Sequence, residues 1–95
     1  MHPAVLQLIR QVIRAGDKAN IPVSLCGEMA GNTNYTRLLL GLGLKNFSMD
    51  STYLLEVKDR ILSADTSKLR YLVSKILSSD NPIQARDNLN ALNNL

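Results

Sequence analysis

The residues of this chain best suited to chemistry lie in one short stretch, Cys26-Gly27-Glu28-Met29-Ala30-Gly31. An apolar run at residues 21–25 precedes it and predicts a buried strand, and a helical segment follows. In parallel α/β folds the reacting groups lie at the carboxyl ends of strands, where loops are open to substrate. A cysteine there, with glycines on both sides of a carboxylate, indicates a reactive loop. The competing interpretation is a buried core residue, because a single cysteine on an apolar strand is usually structural.

Composition limits the class of protein. The 95 residues are enough for one small domain, and 45% hydrophobic content is ordinary for a globular chain. No apolar run approaches the roughly 20 residues of a membrane span, and the start lacks the basic region of a signal peptide. The single cysteine excludes an internal disulfide and fits a reducing compartment, so a cytoplasmic location is expected. One histidine and one cysteine far apart in sequence give no metal-ligand spacing.

The charge pattern argues against a nucleic-acid-binding surface. The net charge is +3, and Lys and Arg recur at helical intervals without forming a cluster along the sequence. Nucleic-acid binding domains concentrate their positive charge on one patch or stripe. The pattern therefore predicts solvated helix faces.

Apolar periodicity and capping residues predict two strands and five helices. The strands are expected at residues 22–26 and 46–49, and the helices at 3–15, 34–42, 51–62, 66–78 and 82–94. The core-facing residues expected on the first helix are Val5, Leu8, Ile9, Val12 and Ile13. Gly16 is expected to end that helix, and Asp50 to cap the helix that follows the second strand. The asparagine-rich tail from Asn88 is expected to fray.

The order of the elements predicts an α/β fold with parallel strands. A helix that joins two strands of one sheet as a crossover implies parallel pairing. Two parallel strands cannot close a sheet, whereas a (β/α)8 TIM barrel needs about 250 residues. We therefore expect the carboxyl-terminal fragment of such a barrel, with residues 1–62 as its last βα units and residues 63–95 as closing helices. Unpaired sheet edges predict self-association of the isolated fragment.

Four motifs resemble one enzyme family in order and spacing. They lie at residues 2–6 (His-Pro-Ala-Val-Leu), 25–31 (Leu-Cys-Gly-Glu-Met-Ala-Gly), 40–44 (Leu-Gly-Leu-Gly-Leu) and 47–49 (Phe-Ser-Met). The chain thereby resembles the carboxyl-terminal part of Enzyme I, the phosphoenolpyruvate–protein phosphotransferase family of the bacterial phosphotransferase system, and most of all its nitrogen-related branch. Pyruvate phosphate dikinase and phosphoenolpyruvate synthase share the Cys-Gly-Glu element and stay as alternatives. The segment would then belong to the phosphoenolpyruvate-binding barrel domain.

The resemblance implies a transferase that moves a phosphoryl group from phosphoenolpyruvate to a protein histidine. Cys26 matches the family's general acid, which protonates enolpyruvate to pyruvate. A thiol suits that task because it is mostly protonated at neutral pH and can still release its proton. Gly27 and Glu28 are expected to contact the substrate or orient the loop, and a solvated or helix-capping role for the Glu28 carboxylate stays open. His2 is not expected to be phosphorylated, since the family's phosphohistidine lies upstream.

The resemblance also implies partners that this segment does not itself bind. Magnesium would be held by residues outside this chain, and a phosphocarrier of the HPr type would dock on a separate amino-terminal domain. A homodimer is expected, because the family dimerises through its carboxyl-terminal domain. The isolated chain is expected to be inactive. A different class of function, a non-catalytic oligomerisation or binding module built on the closing helices, stays open.

Overall fold

Two short strands and six helices form the part of the chain that the computed structural model describes, residues 2–95. In chain order they are α1 (Pro3–Ala19), β1 (Ser24–Cys26), α2 (Glu28–Gly31), α3 (Thr33–Gly41), β2 (Asn46–Ser48), α4 (Ser51–Leu62), α5 (Thr66–Leu77) and α6 (Pro82–Asn93). Helix and strand alternate as far as α4, and the rest is helical. The predicted α/β class is confirmed, and α2 is a short helix that periodicity did not predict.

Side-chain caps fix where most of the helices begin. A helix leaves its first N–H groups without partners, and a side-chain acceptor just before the helix satisfies one of them. Such acceptors precede five helices: His2 for α1, Asn32 for α3, Asp50 for α4, Asp65 for α5 and Asn81 for α6. The predicted starts of α4, α5 and α6 are thereby confirmed. His2 acts as a cap, with Nδ1 accepting from the N–H of Ala4 at 3.0 Å.

The predicted end of the first helix at Gly16 is wrong. Helix α1 runs to Ala19 and ends at Asn20, whose φ of 56° places it in the left-handed region. Gly16 lies buried inside the helix, where a Cβ would overlap the side chain of Val23 and come within 3.0 Å of the carbonyl oxygen of Ile21. The glycine therefore permits the chain to turn back closely across α1 on its way to β1.

The two strands pair in parallel, as predicted. The register places Ser24 opposite Asn46, Leu25 opposite Phe47 and Cys26 opposite Ser48. Leu25 and Phe47 are half-buried and pack against the core, whereas the alternate residues are exposed. Each strand is three residues long, shorter than the sequence predicted. The sheet thus has one apolar face covered by helices and one polar face that no part of residues 2–95 covers.

The core lies among α1, α3, α5 and α6. Its buried side chains are Leu6, Ile13, Leu38, Leu39, Leu42, Leu44, Leu69, Val73, Ile76, Leu77, Ala85 and Leu92. Burial of apolar surface on this scale is the main favourable contribution to folding. The radius of gyration of 12.7 Å matches that of a compact chain of this length.

The predicted core face of α1 is partly wrong. Ile13 is buried, but Val5, Leu8 and Val12 are 48%, 62% and 58% exposed, while Leu6 is fully buried. The apolar stripe of α1 is wider than the part of its surface that α5 and the neighbouring elements cover. Periodicity locates an apolar face but cannot show which part of that face another element covers. Val5, Leu8 and Val12, at intervals of three and four residues, form an exposed strip that we call the α1 apolar strip.

The predicted fraying of the tail is also wrong. Helix α6 continues to Asn93, and Leu92 is fully buried. Arg37 on α3, only 8% exposed, donates from Nη1 to the carbonyl oxygens of Leu92 (3.3 Å), Asn93 (3.0 Å) and Leu95 (3.3 Å). A cation at a helix carboxyl end satisfies free carbonyls and complements the helix dipole. This clamp holds the asparagine-rich tail against α3.

Replacing Gly41 by alanine tests the contact between α3 and α5. A Cβ at Gly41 would lie 2.5 Å from Cγ2 of Val73 and 3.3 Å from Cβ of Leu69. We expect Gly41→Ala to lower the free energy of unfolding by about 1–3 kcal/mol, the usual cost of overpacking. Without this crowding, alanine would stabilise a helix by up to about 1 kcal/mol relative to glycine.

Urea unfolding of the variant, with Val73→Ala as a partner substitution, provides the check. Because Val73→Ala removes the crowded methyl groups, the double variant should lose less stability than the two single losses added together. Simple additivity would contradict the described contact.

Candidate functional site

Cys26 and Ser48 lie side by side at the carboxyl edge of the sheet. They are register partners at the ends of β1 and β2, and both are exposed. Neighbouring strands are about 4.8 Å apart, and register partners of parallel strands point to the same face. The thiol and the hydroxyl therefore lie on the polar face of the sheet, together with Ser24 and Asn46 one pleat earlier. The alternative that Cys26 is a buried core residue is wrong.

Gly27 makes the sharp turn from β1 into α2. Its φ of 92° lies in the region that residues with a Cβ rarely adopt, and a Cβ there would meet no atom within 4 Å. The glycine is therefore required for backbone conformation and not for space. No side chain caps the start of α2, so the turn presents backbone directly beside Cys26.

Glu28 is exposed and borders a cavity between α2 and α4. It lines an open cavity of about 340 Å³ together with Gly31, Asn32, Thr33, Tyr53 and Glu56, and Cys26 is not part of that lining. The two carboxylates give the cavity a negative charge, which disfavours a phosphate there. The ring of Tyr53 covers Gly31, where a Cβ would lie 3.2 Å from Cδ2. No motif in the sequence indicates this contact between Gly31 and Tyr53.

Asp50 caps α4, as predicted. Its Oδ1 accepts from the N–H of Thr52 at 3.0 Å and from its hydroxyl at 2.9 Å. These hydrogen bonds, the backbone one first, hold the pKa of Asp50 below its ordinary value. At the start of α5, hydrogen bonds from Ser67 likewise hold the pKa of Asp65 below its ordinary value. The hydroxyl of Ser67 contributes more to this lowering than its N–H does. Both aspartates thus have a structural role as N-caps of the helices that they precede.

Acid should weaken the fold through these two caps. A carboxyl group whose pKa is lower in the folded state stabilises the protein above its unfolded pKa, here 3.8, and loses that contribution as the pH falls through the folded value. Asp50→Asn keeps an acceptor for the N–H of Thr52 but cannot titrate. We therefore expect a smaller drop in melting temperature below pH 3.8 for Asp50→Asn than for the unaltered chain. Equal drops would contradict this assignment.

A second cavity lies at the other end of the strands. It has a volume of about 560 Å³ and is lined by residues of α1, of the turn before β1 and of the segment Gly43–Asn46 that enters β2. Cys26 and Ser48 do not border it. Neither of these two cavities borders the thiol, which is exposed on the polar face of the sheet.

Within residues 2–95, no three side chains of His, Cys, Asp or Glu come together as metal ligands would. Glu28 and Glu56 share a cavity as a pair only. Magnesium usually requires carboxylates in near-octahedral geometry together with substrate oxygens.

The comparison with protein families decides the class of this segment. Residues 1–66 match the family model described as PEP-utilising enzyme, PEP-binding domain, where PEP is phosphoenolpyruvate. The match contains β1, β2 and the whole of the Cys26 loop. The chain belongs to this PEP-utilising enzyme family.

Three curated relatives of this PEP-utilising segment share one name. The phosphoenolpyruvate–protein phosphotransferase of Cupriavidus necator is 50% identical over 82 residues, which cover 86% of this chain and 14% of the relative. The enzyme of the same name from Staphylococcus epidermidis is 34% identical over 91 residues, 96% of this chain and 16% of the relative. That from Buchnera aphidicola of Baizongia pistaciae is 35% identical over all 95 residues, 16% of the relative. The chain thus spans about a sixth or less of these relatives.

The likeness extends further than the sequence motifs indicated. The four motifs end at residue 49. The alignment with the Buchnera relative covers all 95 residues of the present chain and so includes its helices α5 and α6. These helices supply buried residues to the same core as α1 and α3. They are therefore an integral part of the segment. In residues 2–95 no helix combines the length and apolar character that crossing a membrane requires.

Proposed function

We propose that this segment belongs to a phosphoenolpyruvate–protein phosphotransferase and supplies the general acid of its barrel domain. The observation that carries the proposal is the position of Cys26, exposed at the carboxyl end of a parallel strand on a polar sheet face. The family match and the shared name of the relatives support the substrate and the reaction class. The nitrogen-related branch is part of the proposal, because the Cys-Gly-Glu-Met-Ala-Gly motif resembles that branch most.

The uncovered face of the sheet supports a barrel. In a TIM barrel the strands form an inner wall, the helices cover its outside, and substrate binds at the carboxyl ends of the strands. Leu25 and Phe47 already contact helices, so the face with Cys26 and Ser48 would line the interior. Both strands have an open edge for further strands. Residues 1–62 would then be the last βα units and residues 63–95 the closing helices.

The proposed chemistry at Cys26 is a single proton transfer. After the phosphoryl group has left phosphoenolpyruvate, the enolate of pyruvate remains. Its methylene carbon forms a C–H bond as the S–H bond of Cys26 breaks, and its enolate oxygen becomes the ketone C=O. The products are pyruvate and a thiolate, which water reprotonates. Backbone at Gly27, beside the thiol, would contact the substrate. Glu28, two residues after the thiol and exposed, would contact the substrate or orient the loop.

The remaining machinery would lie outside this segment. A magnesium ion, the phosphorylated histidine and the docking site for an HPr-type phosphocarrier are implied by the likeness to whole phosphotransferases, of which this chain spans a small part. The isolated chain should accordingly convert no phosphoenolpyruvate to pyruvate. Measurable turnover by the purified 95 residues would contradict the proposal that the other essential groups lie outside this segment.

A chimera tests the proposed function. The matched 82-residue segment of the Cupriavidus necator enzyme is replaced by the corresponding part of this chain, and pyruvate formation is measured with phosphoenolpyruvate, magnesium and the HPr-type acceptor. We expect phosphotransferase activity close to that of the parent. A chimera that folds as the parent does but transfers no phosphoryl group would overturn the proposal.

The second candidate function, assembly of the segment into a homodimer, is favoured by the α1 apolar strip. Exposed apolar patches commonly mark surfaces that another chain covers. We expect the isolated chain to sediment as a dimer or larger species, and Leu8→Lys, which places a charge in the centre of the strip, to shift it toward monomer. Leu62→Lys serves as the control, because Leu62 is 76% exposed and lies on α4, outside the α1 apolar strip. A monomer at tens of micromolar without any substitution would contradict self-association.

A further inference from the structure

Three arginines that are scattered in the sequence meet around one cavity. Arg10 and Arg14 on α1 and Arg70 on α5 line an open space of about 330 Å³, together with the hydroxyl-bearing Ser74. Asp17 is the one carboxylate in the lining, so the cavity keeps an excess of positive charge. The sequence indicated no basic cluster, and the folded chain forms one.

The cluster continues into a neighbouring cavity. Arg70 also lines a space of about 370 Å³ that contains Lys45 and Thr66. Gly41 and Gly43 border both cavities. Four cations and one carboxylate therefore border these two adjoining cavities between α1, α5 and the turn that follows α3, which together we call the groove.

Nothing inside the described chain uses these guanidinium groups. Three carbonyl oxygens near the end of α3 are already paired: those of Leu38, Leu40 and Leu39 accept from the N–H groups of Leu42, Gly43 and Leu44, each at 3.0 Å. The arginines are therefore not required as donors to these three oxygens. Within residues 2–95 the side-chain hydrogen bonds donated by arginine are those of Arg37 at the end of α6.

The arrangement also carries a cost. Arg10 and Arg14 are four residues apart on one helix, a spacing at which like charges repel and weaken the helix. A bound anion would remove that repulsion. Guanidinium groups match phosphate oxygens with paired hydrogen bonds. A phosphate dianion would therefore pair with three arginines and a hydroxyl better than a ligand with a single carboxylate would.

We propose that the groove between α1, α5 and the α3–β2 turn binds a small phosphorylated anion. The groove borders the residues that lead into β2, at the opposite end of that strand from Ser48, so it is separate from the Cys26 loop. The proposal does not depend on the proposed phosphotransferase function. The phosphate group is the recognised element, and its source is inorganic phosphate or a phosphate monoester.

Titrations of the 95-residue chain followed by amide NMR test the proposal. Inorganic phosphate and glycerol 3-phosphate are the two probes, and sodium chloride of matched ionic strength is the salt control. We expect saturable shifts at Gly41 and Gly43 with the phosphates and none with chloride. Tighter binding of glycerol 3-phosphate would identify a monoester as the source, and equal binding would identify phosphate alone. No saturable shift at millimolar concentrations of either probe would overturn the proposal.

Arginine variants separate a built site from general attraction. Arg70→Gln should weaken phosphate binding about tenfold or more, since it removes charge-assisted hydrogen bonds. Arg70→Lys keeps the charge but loses the paired geometry, and should also weaken binding. Arg86→Gln on α6, outside the groove, removes the same charge and should leave binding unchanged. Equal weakening by Arg86→Gln would show nonspecific attraction and overturn the site; circular dichroism confirms that each variant is folded.

Discussion

Replacing Cys26 by alanine in the chimeric phosphotransferase should lower pyruvate formation about 10²–10⁴-fold, the usual contribution of a positioned general acid. Alanine fits the exposed site without disturbing packing, because Cys26 is not a core residue. Phosphorylation of the histidine precedes protonation of enolpyruvate and should largely survive. The measurements are pyruvate formed in the steady state and phosphohistidine formed in a single turnover.

The control for this variant is Ser24→Ala on the same strand. Ser24 is exposed on the same sheet face one pleat earlier, so its loss matches the change in size and exposure but not the chemistry. We expect turnover near the unaltered level. The assignment of Cys26 as the acid is wrong if Cys26→Ala retains full pyruvate formation, or if it abolishes phosphohistidine formation to the same degree as pyruvate formation.

Leu38→Ala should be among the most destabilising single changes in the chain. Leu38 is completely buried on α3, which packs against α4, α5 and α6. Truncation of a buried leucine costs about 2–5 kcal/mol, because transfer free energy is lost and a cavity remains. Since small domains have total stabilities of about 5–15 kcal/mol, the variant should be partly unfolded on moderate warming.

Leu55→Ala is the matched control for that loss. The same chemical change is made on α4, but Leu55 is 78% exposed. The free energy of unfolding, measured by urea titration and circular dichroism, should change by less than about 0.5 kcal/mol. If Leu38→Ala cost no more than Leu55→Ala, the core described among α1, α3, α5 and α6 would be incorrect. A large loss for Leu55→Ala alone would instead indicate that assembly buries α4.

The sequence alone determined the features that depend on neighbouring residues. Asp50, Asp65 and Asn81 marked helix starts, because a cap and the N–H that it satisfies lie two or three positions apart. The strand–helix–strand order predicted parallel pairing, since parallel strands are usually joined by a helical crossover. A continuous motif likewise predicted that Cys26 begins an open loop at the end of a strand. Cys26 is exposed and lies at the carboxyl end of β1.

Only the tertiary structure decided which surfaces and side chains meet across the chain. Gly16 looked like a helix end because its role, admitting Val23, depends on a later segment turning back. Arg37 looked like a solvated charge, yet it clamps carbonyls 55 to 58 residues away. Arg10 and Arg70 are 60 positions apart in the sequence and line one groove. Periodicity and capping report interactions within about one helical turn, whereas burial and charge clustering depend on how whole elements pack.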